Sequence, residues 1–321
     1  MMKRDTFQGV TAGPFKRFPP RWGHILIPVG SQAGALAGIT LYPACARKAV
    51  WFQRTAYEWV KHFGAGSLPW RGESWSSPMD DEVWVELCAR WRDLVGDFDT
   101  FVVSDRRPTT RPGFMVLLVR GETPIGFVKV RQDREGLETE FAALKMVMKF
   151  RPKGFLIPEP LGISKVENWA YLVMTPLETC LHSMPRNPPV ERITDEISSA
   201  LKYLPKPEGT PVHWRPMHGD FTPWNLRCAE GQLVLVDWEY ASWAPPGADE
   251  VLYYAVLSMI TAEESSPPAE PEAVEFWKRI TSERQASHRD ALVASLEARI
   301  SSGMADRASH LVTGTSNIRR Q

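Results

Sequence analysis

The segment Met217–Tyr240 (MHGDFTPWNLRCAEGQLVLVDWEY) constrains this chain more than any other stretch. His218, Gly219 and Asp220 stand in succession, Asn225 follows five residues after Asp220, and the apolar run Leu233–Val236 ends at Asp237. Leu226–Val236 reads as a hairpin. Two carboxylates and an amide are thereby placed on the loops at the ends of that hairpin. Packing gives no reason to set Asp220, Asn225 and Asp237 among apolar neighbours. Burying a carboxylate without partners is costly, so the three need a cation or hydrogen bonds. One carboxylate and one amide oxygen, with phosphate oxygens completing the shell, suit Mg²⁺. A second carboxylate, left off the metal, can orient or deprotonate a hydroxyl nucleophile.

Composition narrows the classes. With 321 residues the chain has room for two domains, or for one bilobal domain with an extension. A hydrophobic fraction of 43% excludes global disorder. The 38 basic and 38 acidic side chains cancel, which argues against a surface built for nucleic acid, and no such partner is expected. Cys45, Cys88, Cys180 and Cys228 lie far apart with no C-x-x-C pair. That excludes a zinc ribbon and a dense disulfide scaffold, and it fits a reducing, cytoplasmic location. Met1–Pro20 has basic residues but no apolar run, so no signal peptide is expected.

The zero charge hides an asymmetry, since residues 1–63 carry nine basic and two acidic side chains, a net of +7. Ile25–Ala46 is uncharged, but its glycines and prolines make it a strand, a turn and a packed helix rather than a membrane span. Arg47–Phe63 reads as a helix with basic and aromatic residues interleaved. Membrane-surface contact is one reading of it; the favoured one packs Val50, Trp51, Tyr57 and Val60 inward. Asp80–Leu94 is a second helix, with Val83, Leu87, Trp91 and Leu94 on one face. Strands are expected at Phe101–Ser104, Phe114–Val119, Ile125–Val130 and Ala170–Met174, with a helix at Arg134–Phe150. Val190–Leu204 and much of Glu272–Ser302 are further helix candidates, while the acidic Thr261–Glu275 stretch reads as a solvated loop. The division expected is 1–95 as an N-terminal extension, 96–175 as a β-rich lobe, 176–310 as a mainly helical lobe and 311–321 as a tail. The class is α+β.

In this setting HGDFTPWN resembles the catalytic loop of the aminoglycoside phosphotransferase and choline kinase-like family, and LVDWEYA resembles its metal-binding strand end. That family is the small-molecule branch of the bilobal protein-kinase-like fold. The ordered set His218, Asp220, Asn225 and Asp237 with a hairpin between is specific, where His-Gly-Asp alone would be weak. The resemblance covers about Phe98–Ile260. It implies Asp220 as catalytic base, Asn225 and Asp237 as Mg²⁺ ligands, and His218 as a brace. Asp249 matches an acid that anchors the catalytic loop, and on sequence grounds it serves equally as N-cap of a helix Glu250–Ile260. The resemblance implies ATP as donor and a small-molecule hydroxyl, on a sugar, an aminoglycoside-like compound or an amino alcohol, as acceptor.

A lobe of this kind needs a strand lysine for the nucleotide phosphates and a helix glutamate to hold it. Lys129 lies in the apolar run IGFVKV. On the following helix Leu137, Phe141, Leu144 and Met148 form the apolar stripe. Glu140 borders that stripe, whereas Glu135 and Glu138 point away, so Glu140 is the carboxylate expected to reach Lys129. Two features depart from the family pattern. No G-x-G-x-x-G loop precedes Lys129, its place being taken by Ser104–Gly113, and no Ala-Pro-Glu segment follows Asp237. Trp224, Trp238 and Trp243 flank the candidate site and are read as core. A nucleotide-binding pseudokinase is the alternative, although Lys129, Asp220, Asn225 and Asp237 are all present. A metallohydrolase built on His213, His218, Asp220 and Asp237 is less favoured, because no helix aligns its histidines.

Overall fold

The apolar runs of the first half condense into one antiparallel sheet. The computed structural model describes residues 14–20, 23–105, 113–261 and 270–283, together with Leu292 and Leu296. The chain begins with β1 (Phe15–Phe18), β2 (Ile25–Pro28), α1 (Gln32–Leu41), α2 (Arg47–Phe63), β3 (Gly72–Glu73) and α3 (Asp81–Val95). It continues through β4 (Thr100–Asp105), β5 (Gly113–Arg120), β6 (Thr123–Arg131), α4 (Glu135–Phe150), β7 (Pro160–Val166) and β8 (Trp169–Met174). These eight strands lie side by side in the order β3-β1-β2-β4-β5-β6-β8-β7. Pairing of Ile25 with Ser104 and Leu26 with Val103 carries the sheet without interruption across residue 95.

Alternation along each strand splits the apolar side chains between two layers. Trp169, Tyr171 and Val173 of β8 join Val116, Val128 and Phe101 under the tryptophans of α3, Trp84 and Trp91. Ala170, Leu172 and Met174 face the other way, onto Leu137, Leu144 and Val147 of α4. Farther along that second face, Ile25, Ile27, Val102 and Leu117 pack beneath α1 and α2.

The second half contains α5 (Val190–Ala200), β9 (Arg215–Met217), β10 (Leu226–Ala229), β11 (Gln232–Leu235), β12 (Ser242–Ala244), α6 (Ala248–Thr261) and α7 (Pro271–Glu283). The β10–β11 hairpin and the β9–β12 pair are the strands of a mainly helical unit. One core serves both halves, since α4 and β8 share it with Ile193, Phe221, Leu226, Leu235 and Trp238. The chain is thus an α+β protein of two lobes joined along a common core. Among the described residues no helix is long and apolar enough to cross a membrane.

Several expectations need correction. Helix α2 buries Gln53, Ala56 and Val60, while Trp51 is 69% exposed. The cause is polar: Gln53 Nε2 donates to the Ile39 and Tyr42 carbonyls at the C-terminal end of α1. On α4 the buried face is Leu137, Glu140, Ala143, Leu144 and Val147, so Glu140 lies within the stripe instead of beside it. Helix α5 ends at Ala200, and α7 begins at Pro271 inside the stretch read as a loop. Asp249 sits in the first turn of α6, which starts at Ala248, and is not its N-cap. Most of Ser104–Gly113, residues 284–302 apart from Leu292 and Leu296, and the tail 311–321 lie outside the described residues.

Candidate active site

Lys129 stands opposite Met115 on β5 and Leu172 on β8, so its side chain leaves the sheet on the α4 side. Its Nζ lies 2.7 Å from both carboxylate oxygens of Glu140 and 2.7 Å from Oδ1 of Asp237. Lys129 and Glu140 are buried and Asp237 is partly exposed. Burial pulls the Lys129 ammonium down, but Asp237, Glu140 and Glu239 outweigh it and the net shift is upward. Burial raises the Glu140 carboxyl against the opposing pull of Lys129. The sequence reading of Lys129 with Glu140 matches this geometry. It did not place buried Glu239 in the cluster, although carboxylate oxygens of Glu140, Asp237 and Glu239 lie within 4.8 Å of one another. The position of Glu239, two residues after Asp237, was the only available signal.

The His-Gly-Asp loop is held by its own backbone. Gly219 has φ +79°, and a Cβ there would come within 2.0 Å of the Tyr240 carbonyl oxygen, so only glycine fits. The Asp249 carboxylate accepts from the His218 N–H at 2.7 Å and the Gly219 N–H at 3.1 Å. Burial raises its carboxyl to about 7, against those two donors. The fully buried His218 ring accepts at Nδ1 from the Asp220 N–H (3.2 Å), so its proton sits on Nε2, which donates to the Val236 carbonyl (3.1 Å). Burial lowers it to about 3, and the ring is neutral. His218 therefore ties the loop to the residue before Asp237.

Asn225 Nδ2 donates to the main-chain oxygen and Oδ2 of Asp220, at 2.9 and 2.8 Å, and the Val236 N–H donates to the Asn225 carbonyl. Asp237 has φ +72°, a conformation that costs free energy and is found at functional sites. Lys129, Glu140, Asn225 and Asp237 all line one cavity of about 180 Å³, and Asp220 adjoins it through Asn225. The cavity also takes walls from His24, Leu41 and Pro43 of the N-terminal region, which the sequence reading set apart, and from Arg227 of β10, which it did not single out. Burial lowers the Arg227 guanidinium, against Cys45 and Asp237. Trp238 is fully buried against His218, with ring centroids 4.4 Å apart, as core packing predicts. His213 is drawn off to Glu272 on the surface, 3.0 Å away, and does not join the cavity.

The donor set fits a hard cation. Because the Asn225 amide nitrogen is engaged by Asp220, its oxygen is the atom left for a ligand, and Asp237 adds a carboxylate. Oxygen donors of this kind suit Mg²⁺ completed by phosphate and water.

Among solved structures, the chain is similar to a thermostable mutant of aminoglycoside phosphotransferase APH(4)-Ia in its apo form, at 12% identity and TM-score 0.41, covering 69% of this chain and 94% of that one. It is similar to amicoumacin kinase hAmiN in complex with AMP-PNP, Ca²⁺ and Ami, at 10% identity and TM-score 0.40, covering 72% and 89%. Aminoglycoside phosphotransferase APH(3'')-Id from Streptomyces rimosus, in complex with ADP and streptomycin, is similar at 14% identity and TM-score 0.38, covering 69% and 99%. No curated protein matches the chain. Residues 177–273, which hold the His-Gly-Asp loop, the hairpin, Asp237 and Asp249, match the phosphotransferase enzyme family.

Proposed function

We propose that the chain is an ATP-dependent phosphotransferase that moves the γ-phosphoryl group to a hydroxyl of a small molecule. The observation that carries this reading is the junction at which Lys129 Nζ lies 2.7 Å from both Glu140 and Asp237, beside the Asp220–Asn225 loop. In this reading residues 96–175 and 176–310 are the two lobes and 1–95 is an extension, in a cytoplasmic setting.

Asn225 and Asp237 would hold Mg²⁺, which when bound offsets phosphate charge and fixes the orientation of the transferred group. Lys129 contributes a fixed positive charge to the phosphates, and Glu140 keeps its side chain extended across the cavity. Asp220 orients the acceptor hydroxyl and takes its proton as the new bond to phosphorus forms. Asn225 holds the Asp220 carboxylate at the cavity edge. His218 and Asp249 fix the loop without touching substrate.

The test is ATP consumption by the full chain with Mg²⁺ across sugars, aminoglycosides and amino alcohols. An acceptor that raises consumption well above the hydrolytic background is the expected result. Nucleotide binding without turnover on any acceptor would favour a pseudokinase, and absence of nucleotide binding would overturn the reading.

A further inference from the structure

Among the described residues two cations line the candidate cavity, and the protein treats them differently. The Lys129 ammonium is matched by two carboxylates at 2.7 Å, with Glu239 close behind. Three carboxylates surround one ammonium there, so the Lys129 charge is offset within the cluster and a polyphosphate calls for a further cation. Arg227 stands on β10, two residues past Asn225, and makes no ion pair among the described residues. Its Nε donates to the Trp224 carbonyl at 3.3 Å, and Asp237 acts on it only from beyond ion-pair distance.

The guanidinium is also shielded. Leu41 and Pro43 share its cavity, and the link Tyr42–Cys45 meets His182–Met184 around the adjoining notch, which Arg227 also lines. A charge withdrawn from water without a counter-ion is costly, and sites of this kind are resolved when an anion binds. A guanidinium suits the task because its planar donors match two phosphate oxygens at once.

We propose that Arg227 is an anion-binding residue of this site, whose Nη1 and Nη2 take a phosphate group of the nucleotide donor. The inference rests on the phosphotransferase reading and adds to it a second phosphate contact, set on the β10 strand and closed over by the α1–α2 link. In place of a glycine-rich loop, part of the phosphate charge is met from the opposite lobe.

The test is calorimetric titration of the full-length protein and its R227M and R227K variants with Mg-ATP and, separately, with adenosine. Methionine keeps the length of the side chain and removes the charge, so the protein without nucleotide should melt no lower than wild type. Loss of a charge-assisted contact should weaken Mg-ATP binding by about tenfold or more in R227M, with less loss in R227K. Adenosine, which has no phosphate, should bind all three proteins alike. Equal Mg-ATP affinity in wild type and R227M would overturn the inference and leave the phosphotransferase reading standing. A matching fall in adenosine affinity would also overturn it, because it would mark a packing role. Wild-type protein that binds no Mg-ATP would overturn both.

Discussion

At Lys129 and Glu140 the free energy of the site is concentrated in one buried pair. Removing either partner leaves the other charge in a low-dielectric interior, which typically costs about 3–5 kcal/mol, far more than the net worth of the intact pair. Among the described residues Glu140 has only the Trp238 N–H, at 3.4 Å, as a further donor. Lys129→Ala should therefore destabilise the fold as well as weaken Mg-ATP binding, and Glu140→Ala should do both to a smaller degree, since Asp237 still partners the lysine. Chemical denaturation of the single and double variants measures this, and single effects that simply add would show the pair to be uncoupled. His218 makes a pH prediction. Its folded-state value near 3 lies below the usual histidine value of about 6.5, so its contribution to stability is complete above about 6.5 and is lost as pH falls toward 3. Asp249, raised to about 7, acts in the opposite sense: its contribution is complete below about 3.9 and is lost as pH rises through 7. His218→Asn can still accept the Asp220 N–H and removes only the first effect. Melting at pH 7 and pH 4.5 should show wild type losing more on acidification than the variant. Equal losses would mean that His218 does not titrate with folding.

Elements were legible in the sequence where burial follows a simple period. The runs at β4, β5, β6 and β8, and helices α2 to α4, fall within a few residues of their expected ends, because continuous apolar stretches and 3.6-residue stripes leave little choice. Strand β7 was not legible: Ser164 and Lys165 face water at the sheet edge, and the strand is read only once β8 is there to pair with it. Strand β1 was hidden for another reason, since Lys16 looks like a surface residue, yet its ammonium is buried against the Gly66 and Leu68 carbonyls. The face of α2 was misjudged because a glutamine, not an aromatic ring, makes its decisive contact. The candidate residues Lys129, Glu140, Asn225 and Asp237, singled out by motif and spacing, line one cavity. Arg227 and Pro43 escaped because nothing local marks a residue that meets the site only through tertiary packing. The same packing sets the expectation for the first 95 residues. Their strand β2 pairs with β4, and α1 to α3 cover both faces of the sheet. A chain starting at residue 96 would expose Val102, Val103, Val116 and Leu117 together with a bare strand edge, a combination that promotes aggregation. It should be insoluble on expression. A soluble truncated protein with unchanged Mg-ATP affinity would show that the extension is dispensable to both fold and site.

Across the whole molecule, the two lobes meet where the candidate chemistry lies. Leu156, in the connection after α4, exchanges main-chain hydrogen bonds with Leu233 and Leu235 of the β10–β11 hairpin, at 2.7 and 2.9 Å. Tyr57 of α2 donates to the Thr179 carbonyl at 3.1 Å, so the first hundred residues also touch the second lobe. These links hold Lys129 and Glu140 of one lobe against Asp237 of the other, and the β10–β11 hairpin lies between Asp220 and Asp237 in the chain. The two aspartates are therefore placed for different tasks. Asp237 pairs with Lys129, whereas Asp220 touches Asn225 and stands outside the cavity lining. Asp220→Asn is isosteric and keeps an oxygen for the Asn225 amide, so the loop should persist. Mg-ATP affinity should stay close to wild type while transfer falls by about a hundredfold or more, the scale of a lost general base. Asp237→Asn should instead raise the Mg²⁺ concentration required and weaken nucleotide binding, because a metal ligand loses its charge and Lys129 loses one of its two counter-ions. Calorimetry with Mg-ATP, together with single-turnover transfer rates, separates the two cases. If both variants lost nucleotide affinity equally, the division of labour would fail. If Asp220→Asn kept full transfer activity, the phosphotransferase reading would fail with it.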